Sequence, residues 1–213
     1  MEKNIIFSFV ALVALLMASC QDKDYDIQPM VLSPVDATQL QGSLQGDDYT
    51  WSWPQLGADK KMSVSLYTNG VFSSTVTCDG NSFTQQNVNT NIPYTYVFKV
   101  TDGTNLSQGV VKSYTREGAS QISGLQMSQV EKENGGYDVS VTWNVPDDAT
   151  SLTFTATDGS RNISETLTKD QSSFTIPNAN YGDEWNVTMR AINDKGQSLP
   201  ATATLKIGKT AVA

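Results

Sequence analysis

The feature that most constrains this fold is an internal repeat with a period of about 90 residues in a chain of 213. Trp51-Ser-Trp53-Pro54 matches Trp143-Asn-Val145-Pro146 at an offset of 92 positions. Residues 94–102 match residues 185–193 at an offset of 91. A spacing kept over separate landmarks indicates two copies of one structural unit. The polar, small-residue run at 116–120 lies between the copies and predicts their boundary.

Within each copy, apolar side chains alternate with polar ones, which indicates strands with one buried face. Met62, Val64 and Leu66 show this pattern, and Asn69-Gly70 then supplies a two-residue hairpin signal. No helical period appears after the amino-terminal segment. Short strands, regular turn signals and a tryptophan on the second strand of each copy predict an all-β chain. The predicted architecture is two tandem immunoglobulin-like β-sandwiches.

The second copy also carries a family resemblance. Trp185-Asn-Val187-Thr-Met189-Arg-Ala191-Ile-Asn193-Asp-Lys-Gly196-Gln-Ser198 resembles the late-strand signature of fibronectin type III domains, and Trp143-Asn-Val145-Pro146 resembles their early-strand motif. The resemblance implies a fibronectin type III-like sandwich, and it implies little chemistry because this architecture hosts many functions.

The predicted segments are a signal peptide at 1–19, an acylated acidic tether at 20–28, a first sandwich at 29–116, a hinge at 117–120, a second, fibronectin type III-like sandwich at 121–208, and a tail at 209–213.

The amino terminus has the pattern of an export signal. Lys3 precedes an apolar run at 5–16, which is shorter than the roughly 20 residues that a membrane-spanning helix needs. The run ends in Met17-Ala18-Ser19-Cys20, which resembles the lipobox of bacterial lipoproteins, in the looser form typical of Bacteroidetes. The resemblance implies cleavage before Cys20 and its modification with diacylglycerol and palmitate. The alternative is a secretory signal with an incidental cysteine.

An acidic segment follows directly after Cys20. Asp22, Asp24 and Asp26 lie within Gln21-Asp-Lys-Asp-Tyr-Asp26. This segment resembles the signal that sends Bacteroidetes lipoproteins to the outer face of the outer membrane. The alternative is a solvated tether whose charges keep it disordered.

Composition excludes several classes of function. The chain has 22 acidic against 14 basic side chains and a net charge of −8, which excludes binding to nucleic acids through a basic surface. It contains no histidine, so the most common general base and metal ligand is missing. We therefore predict that the chain is not an enzyme and holds neither a cofactor nor a metal ion.

Carboxylate pairs and the second cysteine do not change that prediction. Asp47-Asp48 and Asp147-Asp148 lie in predicted loops, where aspartate caps turns through its own backbone. Glycoside hydrolysis needs two carboxylates across one cleft, and calcium needs six or more converging oxygens. With Cys20 acylated, Cys78 has no partner for a disulfide. Its neighbour Asp79 disfavours the thiolate, so Cys78 is predicted to be unreactive.

Three aromatic side chains are candidates for contact with a ligand or a partner. Trp53 occupies the strand end where the second copy has Val145, so we predict that part of its ring reaches the surface. Tyr67 lies out of register with the buried positions of its strand and is predicted to point outward. With Phe72 it is predicted to form an aromatic patch on one hairpin. Ordinary sheet packing is the alternative for all three.

The order of segments carries a second resemblance. Pro29-Met-Val-Leu-Ser-Pro34-Val-Asp-Ala37 is similar to the start of the first domain in SusE-like accessory lipoproteins of Sus-type uptake systems. The resemblance implies a lipid anchor on the extracellular face of the outer membrane. It also implies a TonB-dependent transporter and a SusD-like lipoprotein as partners, and a glycan or peptide as ligand. No third, ligand-binding domain is evident, which favours a docking subunit. The alternative is an adhesive or structural protein of the surface or an appendage.

Overall fold

The computed structural model describes residues 32–133 and 135–208. Within these ranges no helix is long and apolar enough to cross a membrane. Several predicted features lie outside the described residues: the signal peptide at 1–19, Cys20, Asp22, Asp24, Asp26, and the tail at 209–213.

The regular secondary structure of the described residues consists of strands, as the alternation predicted. After one short 3-10 turn at Ala37–Gln39, the first copy contains β1 (Gln41–Gln45), β2 (Asp48–Ser52), β3 (Lys61–Thr68), β4 (Val71–Cys78), β5 (Ser82–Gln85), β6 (Pro93–Thr101) and β7 (Val110–Thr115). The second copy contains β8 (Ser123–Glu131), β9 (Tyr137–Asn144), β10 (Ser151–Thr157), β11 (Asn162–Thr168), β12 (Ser173–Ala179), β13 (Glu184–Asn193), β14 (Gly196–Gln197) and β15 (Ala201–Lys206).

The first copy is a sandwich of two antiparallel sheets. One sheet has the order β1-β2-β5 and the other has the order β4-β3-β6-β7. The core lies between them, because alternate residues of the long strand β6 point inward and are buried. The buried core residues are Val35, Leu40, Tyr49, Trp51, Trp53, Met62, Val64, Val88, Tyr94, Tyr96, Phe98 and Val100.

The second copy repeats this architecture. One sheet has the order β12-β9-β8, and the other has the order β11-β10-β13, with β14 and β15 both paired to β13. Trp143 and Trp185 lie in its core with Phe154 and Met189. The chain is therefore all-β, with two tandem immunoglobulin-like sandwiches that have separate cores.

The predicted hairpin is confirmed. Asn69 and Gly70 have φ of 51° and 78°, as a type I′ turn between β3 and β4 requires. Strand β1, in contrast, was not predicted. All five of its residues are exposed, so it shows no apolar alternation by which a sequence would reveal it.

Candidate functional site

The carboxylate of Asp47 joins the two sandwiches. Asp47 lies in the turn between β1 and β2, which Gly46 closes with a φ of 61°. Arg190, on β13 of the second sandwich, donates to both carboxylate oxygens, at 2.9 Å to Oδ1 and 2.6 Å to Oδ2. Arg116, directly after β7, lies 2.9 Å from Oδ1 through Nη2. One carboxylate is thus shared by two guanidinium groups, one of them from the other sandwich.

The second arginine of this cluster is buried. The Arg116 side chain is 5% exposed. Besides Asp47, its Nη1 donates to the carbonyl of Val88 at 3.0 Å and its Nη2 donates to the carbonyl of Gln197 at 3.0 Å. A buried charge is costly unless it is paired and hydrogen-bonded, and these contacts meet that requirement.

Both arginines lower the pKa of Asp47. The hydrogen bonds from Arg190 are the largest cause, the partial burial of the carboxyl opposes them, and Arg116 adds to the lowering. The carboxylate is therefore charged throughout the neutral range, which keeps the three-residue cluster intact there.

The segment predicted as a hinge at 117–120 is hydrogen-bonded on both of its sides. Thr90 Oγ1 of the first sandwich donates to the Ala119 carbonyl at 2.6 Å. The Ala119 N–H donates to the Gly196 carbonyl of the second sandwich at 3.2 Å. Gly118 has a φ of +152°, and a Cβ there would lie 2.9 Å from Thr90 Cγ2. Glycine is therefore required where the sandwiches approach each other.

Among the other predicted loop carboxylates, Asp48 and Asp148 have hydrogen-bond partners, and Asp48 is the first residue of β2 rather than part of a loop. Asp48 accepts a hydrogen bond from the Asn87 N–H at 2.9 Å. Asp148 accepts from the N–H and the hydroxyl of Ser120, at 3.0 Å and 2.9 Å. The loop-capping prediction missed the role of Asp47, because Arg190 lies 143 residues away and no local pattern connects the two.

The predicted aromatic patch is present on the β3–β4 hairpin. The ring centroids of Tyr67 and Phe72 lie 5.6 Å apart in an edge-to-face arrangement. Phe72 is 56% exposed and its neighbour Val71 is 70% exposed. Tyr67 is directly opposite Phe72 in the strand pairing, so both side chains lie on the same face of the sheet. A contact between this patch and a ligand stays a prediction.

The prediction that part of the Trp53 ring reaches the surface is wrong. Trp53 is 3% exposed, and its ring packs edge-to-face on Phe98 at a centroid distance of 6.0 Å. It follows Trp51 at a spacing of two, so both rings point inward from the same face.

The thiol of Cys78 is half-buried at the end of β4. Burial raises its pKa, and the charge of Asp79 raises it further. Both effects disfavour the thiolate, which is the reactive form. These directions agree with the predicted lack of reactivity.

Alkylation of Cys78 is therefore expected to be several-fold slower in the folded chain than in urea at the same pH. The measurement uses a Cys20→Ala chain, which has Cys78 as its single thiol, and follows iodoacetamide labelling by mass spectrometry at pH 8. Asp79→Asn removes the neighbouring charge and is expected to speed labelling. Equal rates in the folded and unfolded chains would contradict the burial of this thiol.

No three Asp, Glu or Cys side chains within 32–133 and 135–208 lie close enough together to hold a metal ion.

A cavity of about 370 Å³ lies at one end of the first sandwich, against Pro54, Leu56 and Lys60. Its carboxylate, Asp36, accepts hydrogen bonds from the N–H and hydroxyl of Thr38. The class of protein that these features define is a tandem of immunoglobulin-like sandwiches with a charged junction and an exposed aromatic hairpin.

Comparisons with known proteins find similarity in fold alone. No family model and no curated protein matches the chain. A two-domain fibronectin type III segment of chicken tenascin is similar over 82% of this chain and 99% of its own, with 15% identity and a TM-score of 0.38. The FN1–FN3 domains of chicken CNTN1 match over 84% of this chain and 65% of theirs, with 12% identity and a TM-score of 0.37. The fn3 domain of human collagen alpha-1(XX) covers 45% of this chain and 91% of its own, with 21% identity and a TM-score of 0.36. At these scores the fold assignment rests on the strand order and the two cores described above.

Proposed function

We propose that this chain is a non-catalytic lipoprotein on the outer face of the outer membrane, where it serves as a docking subunit of a Sus-type uptake complex. The lipobox at Cys20 and the acidic residues after it support the location. The cluster of Asp47 with Arg116 and Arg190 carries the proposal for the folded part. A spacer between a membrane and a partner has to hold its two sandwiches in a fixed relative position. Charge-assisted hydrogen bonds across their junction serve that purpose.

The open aromatic patch on the β3–β4 hairpin supplies the contact surface of this proposal. Tyr67 and Phe72 combine apolar rings with one hydroxyl, a combination that suits both sugar rings and protein surfaces. The proposed partners are a TonB-dependent transporter and a SusD-like lipoprotein, and the proposed ligand is a glycan or a peptide.

Affinity purification from outer membranes in mild detergent tests this function. The tagged chain is expected to bring down a TonB-dependent transporter and a SusD-like lipoprotein in comparable amounts. A Cys20→Ala chain, which has no site for the lipid, is the matched control and is expected to leave the membrane fraction and lose both partners. Recovery of the unaltered chain alone would contradict a docking subunit. Recovery of long polymers would favour the adhesive or structural alternative.

A further inference from the structure

Strand β4 is an open edge of the first sandwich. Its sheet has the order β4-β3-β6-β7, so β4 pairs with β3 on one side, and no described strand pairs with its other side. All of its residues except Cys78 are exposed. The strand contains no Asp, Glu, Lys, Arg, Gly or Pro along its eight residues. An uncharged edge of this length is a template for pairing with another strand.

The other edge strands carry features that discourage such pairing. Strands β1 and β5 have five and four residues. The longer edges contain a charge or a proline: Lys112 in β7, Glu131 in β8, Glu165 in β11, Pro177 in β12 and Lys206 in β15. Charges and prolines on edges are the usual devices against strand addition. Among the described strands, β4 is the long edge that lacks both.

The regular part of β4 presents apolar surface at this edge. One irregularity in its pairing falls at Ser73, and from Ser74 to Cys78 the strand pairs regularly with β3. Val76 is opposite the buried Val64, and so lies on the core side of the sheet, yet it is 43% exposed. A strand added at β4 would cover the exposed part of Val76 and extend the core.

We propose that the occupant of this edge is the β4 strand of a second copy, paired antiparallel about a two-fold axis. The edge needs an extended, uncharged segment rich in β-branched residues, and β4 itself has that composition. Pairing β4 with itself brings no like charges together along Val71–Thr77, although each chain carries a net charge of −8. A closed two-fold pair uses up both edges, so the assembly stops at a dimer. A strand pair buries less than the roughly 1,200 Å² of a stable interface, so the dimer is expected to be concentration-dependent.

This dimer goes beyond the docking function. It leaves free the aromatic patch of Tyr67 and Phe72 that the docking proposal uses. Phe72 and Tyr67 lie on the face of the sheet that points away from the core, whereas the added strand lies beside β4 in the plane of the sheet. Failure of the dimer would therefore leave the docking proposal standing, and the reverse also holds.

Disulfide cross-linking tests the pairing directly. In an antiparallel two-fold pair one residue lies beside its own copy, with Cα atoms about 4.5–5.5 Å apart, a separation that a disulfide spans. Single cysteines are placed from Ser74 to Thr77 in the full chain with Cys78→Ser, and the chains are oxidised in mild detergent. We expect a strong cross-linked dimer at one of these positions. The matched control is Ser164→Cys on the charged edge β11, which is also exposed and is expected to give no dimer.

Sedimentation equilibrium supplies the second measurement. The unaltered chain is expected to shift from the mass of one chain towards that of two over about two decades of concentration. Val76→Lys places a like charge beside the axis and is expected to abolish the shift, whereas Val76→Thr is expected to retain it. Monomers at every concentration would overturn the proposal. Cross-linking at position 164 as strong as that at positions 74–77 would overturn it too.

Discussion

Replacement of Asp47 by alanine is expected to lower the free energy of unfolding by about 3 kcal/mol, the cost typical of breaking a buried ion pair by removal of one partner. The Arg116 side chain, which is 5% exposed in the unaltered chain, would lose its carboxylate partner. Its charge would then be uncompensated, since its other hydrogen bonds go to neutral carbonyls. Arg190 would lose both of its bonds to the first sandwich. Urea denaturation followed by circular dichroism measures the loss.

Asp48→Ala is the matched control for this substitution. Asp48 follows Asp47 directly as the first residue of β2, and its carboxylate accepts one backbone hydrogen bond, from Asn87. Its removal is expected to cost about 1 kcal/mol. A double-mutant cycle of Asp47→Ala with Arg190→Ala then isolates the coupling across the junction. Equal losses from the two single aspartate variants would contradict a special role for Asp47.

The same carboxylate predicts a loss of stability in acid. The pKa of Asp47 is lower in the folded chain than in the unfolded chain, so the unfolded state binds more protons as the pH falls. Its contribution is complete above the unfolded pKa of about 3.9 and disappears as the pH falls through the folded pKa. Asp102, whose pKa is lowered to about 2 chiefly by the N–H of Asn105, also titrates in acid. The measurement is therefore the difference in stability between the unaltered chain and Asp47→Asn, which is expected to stay constant from pH 7 to about 5 and to shrink below about 4.

The parts of the fold that follow from local alternation are predictable from the sequence. Strands β6, β9 and β13 each bury alternate residues, and the Asn69-Gly70 turn has the backbone that its residues favour. Strand β1 is exposed along its whole length and has no such signal. Its pairing with β2 is a property of the assembled sheet.

The junction escaped prediction for a different reason. Asp47 resembles any turn aspartate, and Arg116 lies in a polar run that favours a boundary between domains. Their pairing with Arg190 depends on how the two sandwiches meet, and no periodic pattern in the sequence reports a contact of that kind.

Trp53 shows that the repeat itself misleads where the two copies differ in size. Val145 at the matching position implied a small site at a strand end, from which a larger ring would extend into solvent. The ring is instead buried against Phe98.

Trp53→Ala is therefore expected to lower the free energy of unfolding by about 3–5 kcal/mol, as for other large-to-small changes in a core. Chemical denaturation of the full chain measures this loss.

Two matched variants separate packing from ligand contact at this position. Trp53→Phe is expected to cost only about 1–2 kcal/mol, because the indole Nε1 of Trp53 has no hydrogen-bond partner among the described residues and a phenyl ring retains most of the contact with Phe98. Phe72→Ala, at the exposed hairpin, is expected to cost less than about 1 kcal/mol, since it removes one edge-to-face contact at the surface. If Trp53→Ala were as mild as Phe72→Ala, the ring would not be part of the core. The expected order, with Trp53→Ala far more damaging than either control, assigns Trp53 to stability and leaves Tyr67 and Phe72 as the aromatic pair available for contact.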